Sequence, residues 1–377
     1  MKPVRIRAVA RKEFIHIIRD PRSLGMAIAI PMLLLILFGY ALTLDVDNVP
    51  VLVWDQSQTP ASREFLASFA GSRYFSVRGF VTGYAAIERA IDSGNALIGL
   101  LIPRDFAKRT QSLASVRVQA IIDGSDSNTA TIAMGYLDAV AIRYSENVLI
   151  DQTRRITGKA PSAPIDFRPR VWFNPDLESK NYIIPGLIAV IMMVIAALLT
   201  SLTVSKEWEQ GTMEQLISTP VTGPELIFGK LAPYFAIGML DVLLAVLMGQ
   251  FIFGVPLRGN VVLLFGVSAV FLLGALALGM FISVVAKSQL LASQLAMVLT
   301  FLPSFLLSGF MYAISNMPRP VQIATHLIPA RYFVAILKGI YLKGVGLDVL
   351  GIEAALLVVF ATLAVFLANR KFRKRLD

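Results

Sequence analysis

The sequence predicts a membrane protein, mainly α: six transmembrane helices, a small α/β extracytoplasmic domain, and an N-terminal interfacial amphipathic helix. Three observations lead there. Six apolar stretches each run close to the length that crosses the hydrocarbon, about 20 residues at ~1.5 Å of rise. Lys and Arg are shared unequally between the short segments on alternate sides of those stretches. The long segment between the first two stretches alternates strand-like and helix-like runs.

The chain has 377 residues, of which 56% are hydrophobic, against about 45–50% in soluble domains. The net charge is +10. Asp45 to Tyr182 holds 15 Lys/Arg and 15 Asp/Glu, so the excess belongs to the membrane portion. That argues for topology signals and against nucleic acid as a partner. Cysteine is absent, which excludes disulfides, thiolate metal sites and cysteine nucleophiles.

Residues 1–22 carry seven Lys/Arg. Val4, Ala8, Phe14, Ile15 and Ile18 share one helical face, and Arg5, Lys12, His16, Arg19 and Asp20 the other, which predicts an interfacial helix. Asp20-Pro21 ends it. The apolar run over 23–44 is longer than a signal-peptide core and has no cleavage motif, so it reads as an uncleaved anchor. The spans are Leu24–Leu44, Ile183–Val204, Leu231–Phe253, Val261–Ala286, Leu290–Ile314 and Val349–Ala368. Only Asp241 and Glu353 place charge within them.

With the N-terminus in the cytoplasm, the inner segments hold 15 basic residues and the short outer ones five: Arg258, Arg319, Arg331, Lys338 and Lys343. Both termini are then cytoplasmic, including the basic tail 370–377, and residues 45–182 lie outside. That outer domain reads as strands Val49–Trp54, Tyr74–Phe80, Ala96–Ile102 and Val116–Ile122. Helices fall at Ala61–Phe69 and Tyr84–Asp92, and a long one runs from Thr129 to about Arg155, capped by Ser125 or Asp126. Residues 183–377 hold the other five spans.

The inner loop 205–230 is the most informative stretch. Lys206-Glu207-Trp208-Glu209-Gln210-Gly211-Thr212-Met213-Glu214-Gln215-Leu216 reads as a short helix with three carboxylates. A capping box at Thr222-Gly223-Pro224-Glu225 opens a second one, and together they read as a lever parallel to the bilayer. On one continuous helix, Glu209 and Glu214 lie about 140° apart and Glu207 and Glu214 about 20° apart. Read from the residues alone, the loop is more readily an ordinary solvated juxtamembrane helix.

Gly223 to Lys230 imitates a phosphate loop but has five residues between its glycines where four are needed, and Leu231 replaces the Mg-binding Ser/Thr. No ATP site is expected on this chain. His16 and His326 are predicted on opposite sides of the membrane, so no metal site is expected. Asp241, a carboxylate deep in a span, is a transport-path candidate, with a hydrogen bond to a neighbouring helix or protonation as the alternatives. Residues 315–345 are too polar and proline-broken to span. They read as a surface hairpin.

The loop resembles the Glu-x-Glu-x-Gly-Thr-x-Glu-x-Leu pattern of permeases in the ATP-binding-cassette type-2 exporter family. Thr219-Pro220, Gly229-Lys230-Leu231-Ala232-Pro233-Tyr234, Trp172-Phe173-Asn174-Pro175 and Pro329-Ala330-Arg331-Tyr332-Phe333 resemble other parts of that family, across essentially the whole chain. The resemblance implies a bacterial inner-membrane permease, not itself an enzyme, that exports a substrate such as a lipophilic or cationic drug by alternating access. It implies that Glu207, Glu209, Gly211, Thr212, Glu214 and Leu216 form the coupling helix that docks into a separate cytoplasmic ATPase, which uses ATP and Mg. The N-terminal helix touches the same subunit. Residues 315–345 resemble the family's outer re-entrant hairpin, which implies His326 and Arg331 at a gate. A second permease copy or paralogue completes the transporter, and a periplasmic membrane-fusion protein is a further partner it allows. The competing reading is a membrane-anchored sensor whose outer domain binds a ligand.

Overall fold

The structure is a computed structural model that describes residues 2–42, 46–158, 170–175, 177–213 and 218–372. Glu214 and Leu216, most of the linker 157–170 and the tail beyond Phe372 lie outside the described residues. The chain divides into two compact units, 44–169 and the remainder.

The smaller unit is α/β, as the alternating pattern predicts. Strands β1 (Val49–Asp55), β2 (Phe75–Phe80), β3 (Ile98–Ile102) and β4 (Gln119–Ile122) form one sheet in the order β2-β1-β3-β4. β1 is parallel to β2 and β3, and β4 runs antiparallel to β3. Parallel neighbours need crossovers, which α3 (Pro60–Ala70) and α4 (Tyr84–Asp92) supply. A short α5 (Phe106–Gln111), absent from the sequence reading, follows β3. The long α6 (Ser127–Thr157) starts at Asp126, whose side chain accepts from the Asn128 amide. Val51, Val53, Ile98 and Ile102 from the sheet pack with Phe65, Phe69 and Phe106 from the helices. The separate unit ends at Pro169 rather than at Tyr182; Arg170 onward belongs with the bundle.

The larger unit contains the six apolar helices: α2 (Pro21–Ala41), α7 (Ser179–Glu209), α8 (Gly223–Phe251), α9 (Val261–Ala286), α10 (Gln289–Leu307) and α13 (Leu347–Lys371). α7 is the central one and packs against α2, α8, α9 and α10. Two expected boundaries change. α10 ends at Leu307, not at 314, because Ser308 and the left-handed Gly309 turn the chain. α7 runs on to Glu209, so the first part of the inner loop is the last turn of a span rather than a separate helix. The capping box likewise opens α8 itself. Beyond Gly211, Thr212, Met213 and Ser218 are helical again, and 214–217 between them lie outside the described residues.

Residues 319–343 form two limbs bent by 90°: α11 (Arg319–Ala324) with a 3-10 turn, then α12 (Pro329–Lys338) with a π turn to Lys343. α12 buries Ala330, Phe333, Val334, Ile336 and Leu337 against α7, α9 and α13. The first limb, by contrast, leaves Ile323 and Leu327 exposed.

Candidate functional site

α1 (Pro3–Arg19) is the amphipathic helix the sequence predicts. Val4, Phe14, Ile15 and Ile18 stay exposed to the surroundings, as an interfacial helix requires. A third face, containing Glu13 and Ile17, packs against the bundle. The two helices come close at Gly229 of α8. A β-carbon there would stand 2.6 Å from Val9 Cβ and 3.1 Å from the Ile6 carbonyl, so only glycine lets the helices meet.

Polar contacts fix α1 at both ends of that approach. Glu225 Oε1 accepts from the Lys2 amide at 2.7 Å, and its Oε2 accepts from the Thr222 amide at 2.9 Å and lies 3.6 Å from Arg5. Further along, Lys12 and Glu13 of α1 meet Glu207 of α7 and Lys230 of α8. Lys12 Nζ is 3.1 Å from both Glu13 Oε1 and Glu207 Oε1. Lys230 Nζ is 3.0 Å from Glu13 and 2.8 Å from Glu207. Each cation thus touches both anions, and the four charges cancel. Lys230 is 1% exposed, and a charge so buried persists only when paired. Burial raises the Glu13 carboxyl, but Lys230 and Lys12 outweigh it and hold the group below its ordinary value. Burial lowers Lys12, and the two carboxylates outweigh it and raise the ammonium.

The structure therefore places Glu207 inside, tying three helices together, while Glu209 is exposed. Glu209 accepts from the backbone and side-chain amides of Gln289, the first residue of α10. Carboxylates are disfavoured at a helix C-terminus and favoured at an N-terminus, and Glu209 reaches from the first environment to the second. Trp208 stacks under Lys287, whose Nζ is 5.0 Å from the ring centroid. Gly211 has φ +69° and breaks the helix after Gln210, a left-handed position that suits glycine. The 140° separation of Glu209 and Glu214 on one continuous helix therefore does not apply. Thr212 donates to the Glu207 carbonyl at 3.4 Å.

The sequence reading missed Lys12, Glu13, Lys230 and Glu225 as site residues. One signal was available. Glu13 and Lys230 are opposite charges placed beside apolar residues at the level of the loop, and isolated charges there need partners.

The other candidates lie apart from this cluster. Asp241 of α8 is 1% exposed, and neither carboxylate oxygen has a hydrogen-bond partner among the described residues. His326 and Arg331 do come together. Arg331 Nη1 is 3.0 Å from His326 Nδ1 and also donates to Thr325 Oγ1. His326 Nδ1 also lies 3.1 Å from the Gln322 carbonyl oxygen, which accepts from Arg331 as well.

The comparisons with known proteins agree with this architecture. The family model described as "ABC-2 family transporter protein" matches residues 21–369. The "Probable multidrug ABC transporter permease YbhS" of Escherichia coli is 38% identical over 374 residues, covering 99% of this chain and 98% of that protein. The corresponding YbhR is 30% identical, covering 95% of each. "ABC transporter G family member 20" of Dictyostelium discoideum is 23% identical over 94% of this chain and 48% of its own length. The chain belongs to the ABC-2 transporter family, as a multi-pass membrane permease.

Proposed function

We propose that this chain is the permease subunit of a bacterial inner-membrane exporter, driven by a separate cytoplasmic ATPase that binds ATP and Mg. The carrying observation is that the permease likeness covers the chain end to end while the α7–α8 loop is rooted in three neighbouring elements. Glu207 ties it to α1 and α8, and Trp208 and Glu209 tie it to the α9–α10 turn. A push on the loop from an ATPase that closes on ATP moves those elements together, which is what alternating access needs.

In this reading Glu209, Gly211, Thr212, Glu214 and Leu216 meet the ATPase, and Glu207 acts from inside as the tie. Both termini are cytoplasmic, the 45–182 segment is extracytoplasmic, and a second permease copy or paralogue completes the pathway. The relatives named as multidrug permeases support a lipophilic or cationic drug as cargo. Asp241 supplies a buried acid to the path, and the His326–Arg331 pair gates its outer end. A periplasmic membrane-fusion protein extends the route.

Two experiments test this. The purified chain alone should not hydrolyse ATP, whereas a complex with its ATPase should show drug-stimulated turnover; turnover by the chain alone sinks the assignment. A Ser127→Cys variant should react with an impermeant thiol reagent in cells whose outer membrane is permeabilised. Reaction only after inner-membrane lysis reverses the topology.

A further inference from the structure

A cleft of about 680 Å³ opens between α1, α2, α7 and α8, within the range of small-molecule sites, roughly 300–1,000 Å³. Its lining changes character along α7. At Leu199 and Leu202 the walls are apolar, completed by Ala27 of α2 and Ile237 of α8; at Lys206 to Gln210 they are polar. The eleven residues from Leu199 to Glu209, the end of α7, span about 16 Å of helix axis. A site that is apolar at membrane depth and charged at the interface matches an amphiphile rather than a soluble metabolite or a pure hydrocarbon.

The charges narrow the headgroup. Three cations (Lys12, Lys206, Lys230) and three anions (Glu13, Asp20, Glu207) line the polar end, together with His16. Four of these neutralise one another in the buried square. Asp20 has a polar contact of its own. Lys206 has no ion pair among the described residues. The site therefore offers a base able to bind phosphate, within a lining that sums to zero when His16 is neutral. Because the lining already sums to zero, a purely anionic head would leave the cleft with a net negative charge. A zwitterionic head keeps it neutral, and Glu207 Oε2, which has no hydrogen-bond partner among the described residues, can accept from its ammonium.

We propose that this cleft binds one phospholipid of the α1-side leaflet with a phosphoethanolamine-type head. Its phosphate lies at Lys206 and His16, its ammonium toward the carboxylates, and its acyl chain along Leu199, Leu202, Ala27 and Ile237. Recognition of lipid heads by basic pockets between spans at the interface follows the same physics. The lipid would wedge between the interfacial helix and the spans it is tied to. Only the naming of this leaflet as cytoplasmic rests on the topology proposed above.

The test uses the full chain, purified without ATPase or nucleotide, so it stands whether or not the exporter reading holds. The protein is equilibrated with mixed micelles of phosphatidylethanolamine, phosphatidylglycerol and phosphatidylcholine in equal amounts, and retained lipid is counted by native mass spectrometry. One phosphatidylethanolamine should be retained in preference to the other two. Lys206→Glu should weaken its retention about tenfold, since each interfacial base contributes near fivefold and reversal costs more than removal. Leu202→Trp, which fills the apolar end, should abolish retention without changing charge. Lys343→Glu, away from the cleft, should leave it unchanged. Equal retention of phosphatidylglycerol overturns the headgroup assignment. Displacement by soluble glycerophosphoethanolamine at lipid-like concentrations overturns the acyl half. Wild-type retention in both cleft variants leaves only annular lipid. If Lys206→Glu does not fold, Leu202→Trp decides alone.

Discussion

The Glu13 carboxylate lies 3.0 Å from the Lys230 ammonium, and these residues, 217 positions apart in sequence, hold the interfacial helix to the third apolar span. Neither group stands alone, because Lys12 and Glu207 complete a square in which every charge has two opposite neighbours. That arrangement offsets the cost of taking the charges out of water. It also makes the position of α1 depend on α7 and α8 together.

Charge deletion at this square should therefore be expensive. Lys230→Met leaves Glu13 and Glu207 facing one another with only Lys12 between them. Removing one member of a buried pair costs about 3–5 kcal/mol. The expected result is a large drop in thermal midpoint in detergent. The double variant Glu13→Gln with Lys230→Met, which leaves Lys12 paired with Glu207, should cost less than the sum of the two single variants. Additive single effects would mean that the two side chains do not interact.

The same square sets an acid limit. Glu13 is held below its ordinary value of 4.5 in the folded protein, so its ion pairs stabilise fully above that value. The contribution is lost as pH falls below it and the carboxyl protonates. Lys12 is held above 10.5, so its contribution is intact below that pH and fades only above it. Docking of α1, followed by protease cleavage introduced near Arg7, should be pH-independent between neutral and mildly alkaline conditions and loosen below about pH 4.5. A Glu13→Gln protein should lose the acid transition. Unchanged acid sensitivity in that variant would place its origin elsewhere.

The spans were legible because each is a run of apolar residues long enough to cross a membrane; Val261–Ala286 is found with both ends as expected. The outer unit was legible through turn residues, and Tyr84–Asp92 also agrees end to end. The loop was legible as a pattern but not as a geometry. Nothing local says that α7 continues through Lys206 to Glu209. The continuation is held by Lys230, Lys12 and Gln289, all distant in sequence. For the same reason the inward orientation of Glu207 and the outward one of Glu209 were hidden. Two residues apart on a helix they point about 200° from one another, but which faces inward depends on where α1 and α10 lie.

The α7–α9 contact gives a prediction about packing. A β-carbon at Gly279 would stand 2.3 Å from the Ala197 carbonyl oxygen and 2.8 Å from its Cα, both backbone atoms that cannot step aside. Thr200 donates across the same contact to the Leu276 carbonyl at 2.8 Å. Small residues serve here to bring two helices of one subunit together. Gly279→Ala should destabilise by about 1–3 kcal/mol, and Gly279→Leu should prevent stable insertion. A wild-type melting curve for Gly279→Leu would show that the two helices do not approach this closely.

Glu209 distinguishes a local cap from a coupling contact. Its carboxylate accepts from the Gln289 backbone amide at 2.7 Å and from the Gln289 side chain, and the residue is exposed at the surface. Glu209→Gln keeps an acceptor oxygen for that amide and removes the charge. Glu209→Lys removes both and presents a cation. If the residue only caps α10, the glutamine variant should behave as wild type and the lysine variant should lose stability without a specific loss of ATPase binding. If it also meets a basic wall of the ATPase, both variants should fold, and the lysine variant should lose most complex formation and drug-stimulated turnover, with the glutamine variant between it and wild type. Like charges brought together at an interface cost several kcal/mol, so the lysine effect should exceed tenfold in affinity by co-purification titration. Glu207→Gln should act differently, because Glu207 is buried among Lys12 and Lys230: it should lower the melting temperature of the permease alone, before any ATPase is added. Full complex formation and turnover in Glu209→Lys would leave the loop as a solvated connector.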